Sequence, residues 1–255
     1  MSTWIEDQFS LHGKRALVTG ASKGIGAAIA NAMANAGADL ILVGRTSESL
    51  VQTTNAVEKL GRKTTQIICD LSVSDDISRA FSEVDSLEVD ILINNAGTII
   101  RGSSLELPLS DWQRILDTNL NSAFQLTQLC SRSMVERGSG RVINIASLLS
   151  FQGGLNVSAY TASKHGIAGL TKALGNELGG RGVTVNAIAP GYIETDNTQA
   201  LRDDPERNNA ISARIPIGRW GKPEDISSAA VFLASKAAGY INGEILTVDG
   251  GWMAR

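Results

Sequence analysis

Short apolar runs punctuate this chain: Ala16-Leu17-Val18, Leu40-Ile41-Leu42-Val43, Gln66-Ile67-Ile68-Cys69, Val89-Asp90-Ile91-Leu92-Ile93, Val142-Ile143-Asn144-Ile145, Val183-Thr184-Val185-Asn186-Ala187-Ile188 and Ile245-Leu246-Thr247-Val248. Runs of this length with little polar alternation predict strands buried on both faces. Between them, apolar residues recur at helical spacing. An Ala-rich helix is expected from the first glycine turn to Ala36, stopped by Gly37. Ser47 is expected to cap a helix carrying Leu50, Val57 and Leu60 on one side and ended by Gly61. Further helices are predicted over Asp75–Val84, Trp112–Val135, Ala162–Leu178 and Asp225–Leu233. The long one, Trp112–Val135, places Leu116, Leu120, Ala123 and Leu126 on one face. Strands alternating with helices need right-handed crossovers, so the sheet must be parallel and covered on both sides. The expected architecture is α/β: a Rossmann-type, doubly wound, seven-stranded parallel sheet in a single domain over residues 1–255.

One segment breaks the rhythm. Residues 191–223 are polar, carry Arg202, Arg207, Arg214 and Arg219, and interrupt the strand–helix alternation. A long insertion after a strand's carboxyl end is where a substrate lid would sit. The chain contains no internal repeat, linker or low-complexity stretch.

Composition narrows the function classes. A length of 255 residues can bury a full core without a metal or disulfide staple. The net charge of −3 and aromatic content of 5% argue against a nucleic-acid or membrane-surface partner. Cys69 and Cys130 lie far apart with no CxxC spacing, which favours small buried hydrophobes over a metal site or redox pair. The start of the chain carries Glu6 and Asp7 where a signal peptide needs an apolar stretch, and no run reaches transmembrane length. A cytoplasmic location is the expectation.

The first strand runs into Thr19-Gly20-Ala21-Ser22-Lys23-Gly24-Ile25-Gly26. Glycines there let the backbone turn sharply and approach a pyrophosphate, and the next helix offers unpaired N–H donors. The spacing differs from GxGxxG, and a tight turn without ligand is the alternative. Adenosine sites for NAD carry an acid about 20 residues on. Here the second strand ends in Gly44-Arg45-Thr46. The planar fork of Arg45 suits a 2′-phosphate, and Lys23 adds a second cation, so NADP is favoured over NAD. Asp70, just past the third strand, is a candidate for the adenine amino group.

Tyr160-Thr161-Ala162-Ser163-Lys164 puts a phenol and an ammonium one helical turn apart. A phenol with pKa of ~10 is a poor base near neutrality, and a neighbouring cation is expected to lower it. Ser147 follows the fifth strand at its carboxyl end, where it can donate to a substrate oxygen. Asn94-Asn95-Ala96-Gly97 ends the fourth strand with small residues that let a cofactor pass.

Taken together, Thr19-Gly20-x3-Gly24-x-Gly26, Asn94-Asn95-Ala96-Gly97, Asn119, Ser147, Tyr160-x3-Lys164 and Pro190-Gly191 resemble the short-chain dehydrogenase/reductase family across nearly the whole chain. The resemblance implies a catalytic tetrad of Asn119, Ser147, Tyr160 and Lys164. It implies that Lys164 also binds the nicotinamide ribose, that Asn119 holds a relay water, and that Asp70 lies near adenine. It implies cofactor contacts from Gly20, Ser22, Lys23, Gly24, Ile25, Gly26, Arg45, Asp70, Leu71, Asn95, Ala96, Gly97, Tyr160, Lys164, Pro190, Gly191, Ile193 and Thr195, and a homotetramer. Ser150-Phe151-Gln152-Gly153-Gly154, Asn197-Thr198-Gln199, Gly218-Arg219-Trp220-Gly221 and Val248-Asp249-Gly250-Gly251-Trp252 are similar to sugar-acid dehydrogenases of the 2-deoxy-D-gluconate 3-dehydrogenase and gluconate 5-dehydrogenase type. One departure stands out: Gly44-Arg45 favours NADP, whereas catabolic oxidations often use NAD.

A sugar-acid carboxylate needs a cation and hydroxyl partners. Arg101 is the candidate for the carboxylate, with Ser147, Tyr160, Gln152, Asn197 and Gln199 for oxygens on the substrate. His165 is expected to be a packing or subunit-contact residue, and Trp252 and Arg255 to pack at a subunit or active-site boundary. Two readings stay open beside this one. A reductase of carbonyl or 3-oxoacyl-carrier-protein substrates would want a basic docking patch, and a non-catalytic NADP sensor would not need the tetrad.

Overall fold

A computed structural model describes residues 3–82 and 84–255, with the side chains of Val84 and Asp85 also left undescribed. Seven strands form one sheet: β1 (Arg15–Thr19), β2 (Asp39–Gly44), β3 (Thr64–Ile68), β4 (Ile91–Asn94), β5 (Gly140–Ile145), β6 (Val183–Pro190) and β7 (Ile245–Val248). Their spatial order is β3-β2-β1-β4-β5-β6-β7, and every pairing is parallel. The chain reverses its winding between β1 and β4, where Ala16 pairs with Leu40 on one side and Ile91 on the other. That switch point opens a crevice at the strands' carboxyl ends. The expected seven-stranded doubly wound sheet is the observed one.

The helices are α1 (Trp4–Phe9), α2 (Gly24–Asn35), α3 (Ser47–Lys59), α4 (Ser74–Ala80), α5 (Leu109–Leu116), α6 (Ser122–Glu136), α7 (Ser158–Gly179), α8 (Gln199–Arg202), α9 (Pro205–Arg214) and α10 (Pro223–Ala234). The period-2 alternation of strand side chains divides the core in two. Ala16, Val18, Leu40 and Leu42 pack under α2, α3 and α10. Leu17, Ile41, Val43, Leu92 and Val142 pack on the other face, against α4, α6 and α7. Ala-rich α2 lets α10 approach closely, burying Ile29, Ala30 and Met33.

Several boundaries differ from the sequence reading, each for a local reason. Thr46, not Ser47, caps α3, its hydroxyl accepting from Ser49 N; Leu60 falls past the helix and is exposed. α4 ends at Ala80, short of the expected Val84, and Glu83 lies outside the described residues. The long helix expected over Trp112–Val135 begins earlier, at Leu109, and is split by a π-helical turn, Asp117–Asn121. There Ser122 N bonds Asp117 O, five residues back, which inserts an extra residue and turns the following face. α1, α8 and α9 had no predicted counterpart; the last two lie in the polar segment 191–223. Cys69 and Cys130 are buried and in no disulfide, as expected of small apolar residues.

A buried polar chain ties the sheet to the helices behind it. Asn94 Nδ2 donates to Thr127 Oγ1 (3.1 Å) and Asn144 Oδ1 (2.9 Å), and Asn144 Nδ2 donates to Thr171 Oγ1 (2.9 Å). Asn144 is 0% exposed, so its amide has no water to fall back on. Replacing Asn144 with Leu takes one partner from each of Asn94 and Thr171, which keep Thr127 Oγ1 and Ile167 O, and is expected to cost about 1–3 kcal/mol. Urea denaturation reads this; a midpoint equal to wild type at equal slope would refute it.

Candidate active site

The crevice is built by the segments that follow β1 to β6. β1 leaves the sheet through Gly20 and Gly24, both at positive φ (62° and 56°), a region open to glycine at no steric cost. At Gly26 the constraint is space: a Cβ would stand 2.2 Å from Gly20 O and 2.4 Å from Asn95 Nδ2. The turn after β4 clamps this one. Asn95 Nδ2 donates to Thr19 O (2.8 Å) and Gly20 O (3.2 Å), and Thr19 Oγ1 accepts from the Asn95 and Ala96 amides (2.9 Å each). Lys23, at the α2 N-cap, provides no side-chain cap, so the first N–H groups of α2 stay available to an anion.

These turns open on a cleft of about 850 Å³. The structure brings to it every residue expected to touch a cofactor: Gly20, Ser22, Lys23, Gly24, Ile25, Gly26, Arg45, Asp70, Leu71, Asn95, Ala96, Gly97, Tyr160, Lys164, Pro190, Gly191, Ile193 and Thr195. The glycine cradle and the uncapped helix start fit a pyrophosphate. Arg45, at the carboxyl end of β2, is exposed and in no ion pair among the described residues. Lys23 differs: it is paired with Asp196 from the segment after β6. The second cation expected beside Arg45 therefore has an acidic partner, exposed like itself, that nothing in the local sequence pointed to.

Ser147 and Lys164 both line the same cleft. Ser147 caps the short 3-10 turn after β5, its Oγ accepting from Leu149 N (3.2 Å). Lys164, 4% exposed, donates from Nζ to Ile145 O (2.6 Å) and lies 5.5 Å from the Tyr160 ring centroid. The electrostatics correct the sequence expectation. Burial raises the Tyr160 phenol, while a Ser147 hydrogen bond and the Arg101 guanidinium pull it back only in part. Lys164 is itself desolvated, its pKa pushed down to about 8, and its nearest acceptor is a carbonyl rather than the phenol oxygen. So the ammonium does not by itself depress the phenol; the enclosure outweighs it.

Asn119 sits in the π-helical turn, 2% exposed. Its Oδ1 accepts from Thr98 N (2.8 Å), and its Nδ2 donates to Thr98 O (2.9 Å) and Ser163 Oγ (3.1 Å). The side chain is thus engaged in fastening the loop after Gly97 to α7. Thr98 and Ser163 are site-shaping residues that the sequence reading missed; Ser163, inside Tyr160-x3-Lys164, was the available cue. Arg101 does not line the cleft itself; its Nη2 donates to Asn197 O (2.9 Å). Asn197 lines the cleft. Gln152 and Gln199 do not: the Gln199 amide donates to Asp203 and accepts from Arg202. His165 is exposed on α7, with Nδ1 beside Thr161 O.

Segment 191–223 packs on its own small core. Trp220 and Trp252 are buried with Leu148, Ile211 and Ile215. Tyr192 meets Trp220 edge-to-face (5.3 Å) and Trp252 at a tilt (4.6 Å), and Arg214 lies 4.0 Å over the Trp252 ring. Arg255 Nη1 donates to Ala213 O, so the chain end fastens α9.

Burying Lys164 has a stability cost whose pH window follows from its pKa. Both states carry the charge below about pH 8, so the penalty is then complete, about 3 kcal/mol, and it fades as pH rises towards 10.5. Lys164→Met is expected to raise Tm by a few degrees at pH 7, with the gain vanishing above pH 10, while turnover is lost. A lower Tm at neutral pH would count against that cost.

Residues 20–253 match the sequence model of the family described as "Enoyl-(Acyl carrier protein) reductase". The 2-dehydro-3-deoxy-D-gluconate 5-dehydrogenase of Bacillus subtilis (strain 168) is 54% identical over 253 residues, covering 99% of this chain and 99% of that one. A structure described as an NAD(P)-dependent gluconate 5-dehydrogenase from Beutenbergia cavernae, with NADP at low occupancy, is 48% identical with TM-score 0.95, covering 97% and 100%. The gluconate 5-dehydrogenase of Burkholderia cenocepacia J2315, in complex with NADP and tartrate, is 34% identical with TM-score 0.94, covering 98% and 99%. Among the described residues no helix is long and apolar enough to cross a membrane. With the switch-point cleft, the glycine turn and Tyr160-x3-Lys164 in place, the chain belongs to the short-chain dehydrogenase/reductase family of NAD(P)-dependent oxidoreductases.

Proposed function

We propose that this protein interconverts a secondary alcohol and a ketone on a sugar acid of the gluconate or deoxygluconate type, with NADP as cofactor. The observation that carries the reading is one cleft holding the free Arg45 at one end and Ser147, Tyr160 and Lys164 at the other. The names of similar proteins, gluconate-type dehydrogenases with NADP bound in two solved structures, support the same substrate class and cofactor.

The nicotinamide, when bound, supplies or accepts the hydride. The protein supplies the proton and the geometry. In reduction, the Tyr160 hydroxyl gives its proton to the carbonyl oxygen as that oxygen gains charge, and in oxidation it takes the proton back. Ser147 donates a hydrogen bond to the same oxygen. Lys164, held by Ile145 O, presents its remaining N–H donors to a ribose and stabilises the phenolate once that forms. Asn119 is assigned to positioning: its side chain locks the Thr98 backbone against α7. Arg101 is assigned to the substrate carboxylate; this requires it to exchange the Asn197 carbonyl for the anion. Segment 191–223 serves as the lid, anchored by its tryptophan core. We assign a homotetramer and a cytoplasmic location with the same reading, to be checked by light scattering and cell fractionation.

A panel of sugar acids and their keto forms, followed by nicotinamide absorbance with each cofactor, tests the proposal. Turnover confined to uncharged carbonyl substrates would overturn the sugar-acid assignment while leaving the chemistry. Arg101→Met should raise KM for the acid far more than kcat falls.

A further inference from the structure

A second cavity, of about 860 Å³, lies at the far pole of the sheet, where the strands begin. Its floor is the starts of β4 and β5, at Asp90-Ile91 and Gly140-Arg141; the ends of α2 and α10 form the sides. α1 forms the outer wall, held off the body by Lys236–Asp7 and by Phe9 against Phe232. It is separate from the dinucleotide cleft and shares no lining residue with it.

Among the described residues the acids and lysines of this cavity are ion-paired apart from Glu6, which meets a backbone amide, and Arg141 stands without an acid. Asp90 accepts Lys14 Nζ on Oδ1 (3.2 Å) and Arg15 N on Oδ2 (3.0 Å). Asp7 accepts Lys236 on Oδ1 (2.8 Å) and Gln8 on Oδ2 (3.2 Å), and Glu6 caps the Thr3 amide. Arg141 has no carboxylate partner among the described residues. Its Nη1 reaches only the adjacent Gly140 carbonyl (3.1 Å), and its Nε is buried with no acceptor. Burial lowers its pKa, with no acid to offset the effect. A guanidinium carries five donors in a planar fork, and a half-buried one left unpaired is a standing cost that a planar anion would remove. Near it the accessible apolar surface comes from Ile5, Phe9 and Val231, while Leu11, Ile91 and Ala234 lie behind it, almost fully buried.

We propose that this cavity is a second ligand site, taking a small aliphatic monocarboxylate whose carboxylate pairs with Arg141 and whose hydrocarbon body lies against Ile5, Phe9 and Val231. The complementarity is of two kinds: a fork-shaped cation with spare donors, and an apolar pocket beside it. The inference does not depend on the dehydrogenase reading, because no residue of the cleft enters it.

Hexanoate is the probe. Calorimetric titration of the full chain, saturated with NADPH so that the cleft is filled, should show one site for hexanoate and at least about tenfold weaker binding of hexanol and hexylammonium. Arg141→Met should weaken hexanoate at least about tenfold, and Arg141→Lys by less, since a point charge lacks the fork. Ile5→Glu, on the exposed wall and outside the core, tests the site independently of Arg141 and should weaken hexanoate by a similar factor. NADPH affinity and turnover should stay within about twofold in all three variants, since none of them lies in the cleft. Hexanoate failing to bind the wild-type chain, hexanol binding as well as hexanoate, or Arg141→Met and Ile5→Glu both retaining full affinity would each overturn the proposal.

Discussion

Tyr160→Phe is expected to lower kcat by about three orders of magnitude, while NADPH affinity changes no more than about threefold. The phenol oxygen is the group of this cleft placed to give or take the proton, and phenylalanine keeps the ring while removing it. A thousandfold loss corresponds to about 4 kcal/mol of transition-state stabilisation. The pH dependence gives a second reading. Alcohol oxidation needs the phenolate, and burial holds the Tyr160 phenol above its ordinary value, so kcat/KM for oxidation should climb with pH through the alkaline range. In Tyr160→Phe that limb should disappear. Stopped-flow turnover with fluorescence titration of NADPH measures both quantities. Turnover within tenfold of wild type would remove Tyr160 from the chemistry.

Arg45→Asp is expected to shift the ratio of kcat/KM for NADPH over NADH by about two orders of magnitude or more towards NADH. Arg45 is exposed and in no ion pair among the described residues, whereas Lys23 is already committed to Asp196. The preference for a 2′-phosphate is therefore expected to rest more on this guanidinium than on Lys23, whose exposed pair with Asp196 offsets part of its charge. Losing a charge-assisted contact costs about 2–3 kcal/mol, and each 1.4 kcal/mol is tenfold. The introduced carboxylate repels the phosphate and can accept from a ribose 2′-hydroxyl instead. Because Arg45 is exposed, KM for NADPH in the wild type should also rise with salt. Steady-state kinetics with both cofactors at two ionic strengths measures this; an unchanged ratio would move the selectivity elsewhere in the cleft.

The contrast between Arg45 and Lys23 shows where sequence reading stops. Both cations were visible as charges near a strand end and a glycine turn. That one is free and the other paired depends on Asp196, 173 residues away. Likewise the Tyr160–Lys164 spacing placed both groups on one helix, yet the direction of the phenol pKa depends on how much solvent the surrounding turns exclude. The helix predicted over Trp112–Val135 was correct in its existence and wrong in its continuity. Leucine periodicity cannot register one inserted residue when a tertiary contact, Asn119 to Thr98, makes the wider turn worthwhile.

Seven apolar runs, the helices between them and the glycine turn were determined by local pattern alone, because strand and helix periodicity and glycine's conformational freedom act within a few residues. Right-handed crossovers made the sheet parallel and pointed to the strands' carboxyl ends as the ligand edge, whereas the spatial strand order came from the structure. What only the tertiary structure decided is which charges meet, which side chains lose their water, and that Arg141 is left without a carboxylate at the far pole. Those depend on distances between segments remote in the chain, and electrostatic energies change steeply with both separation and burial.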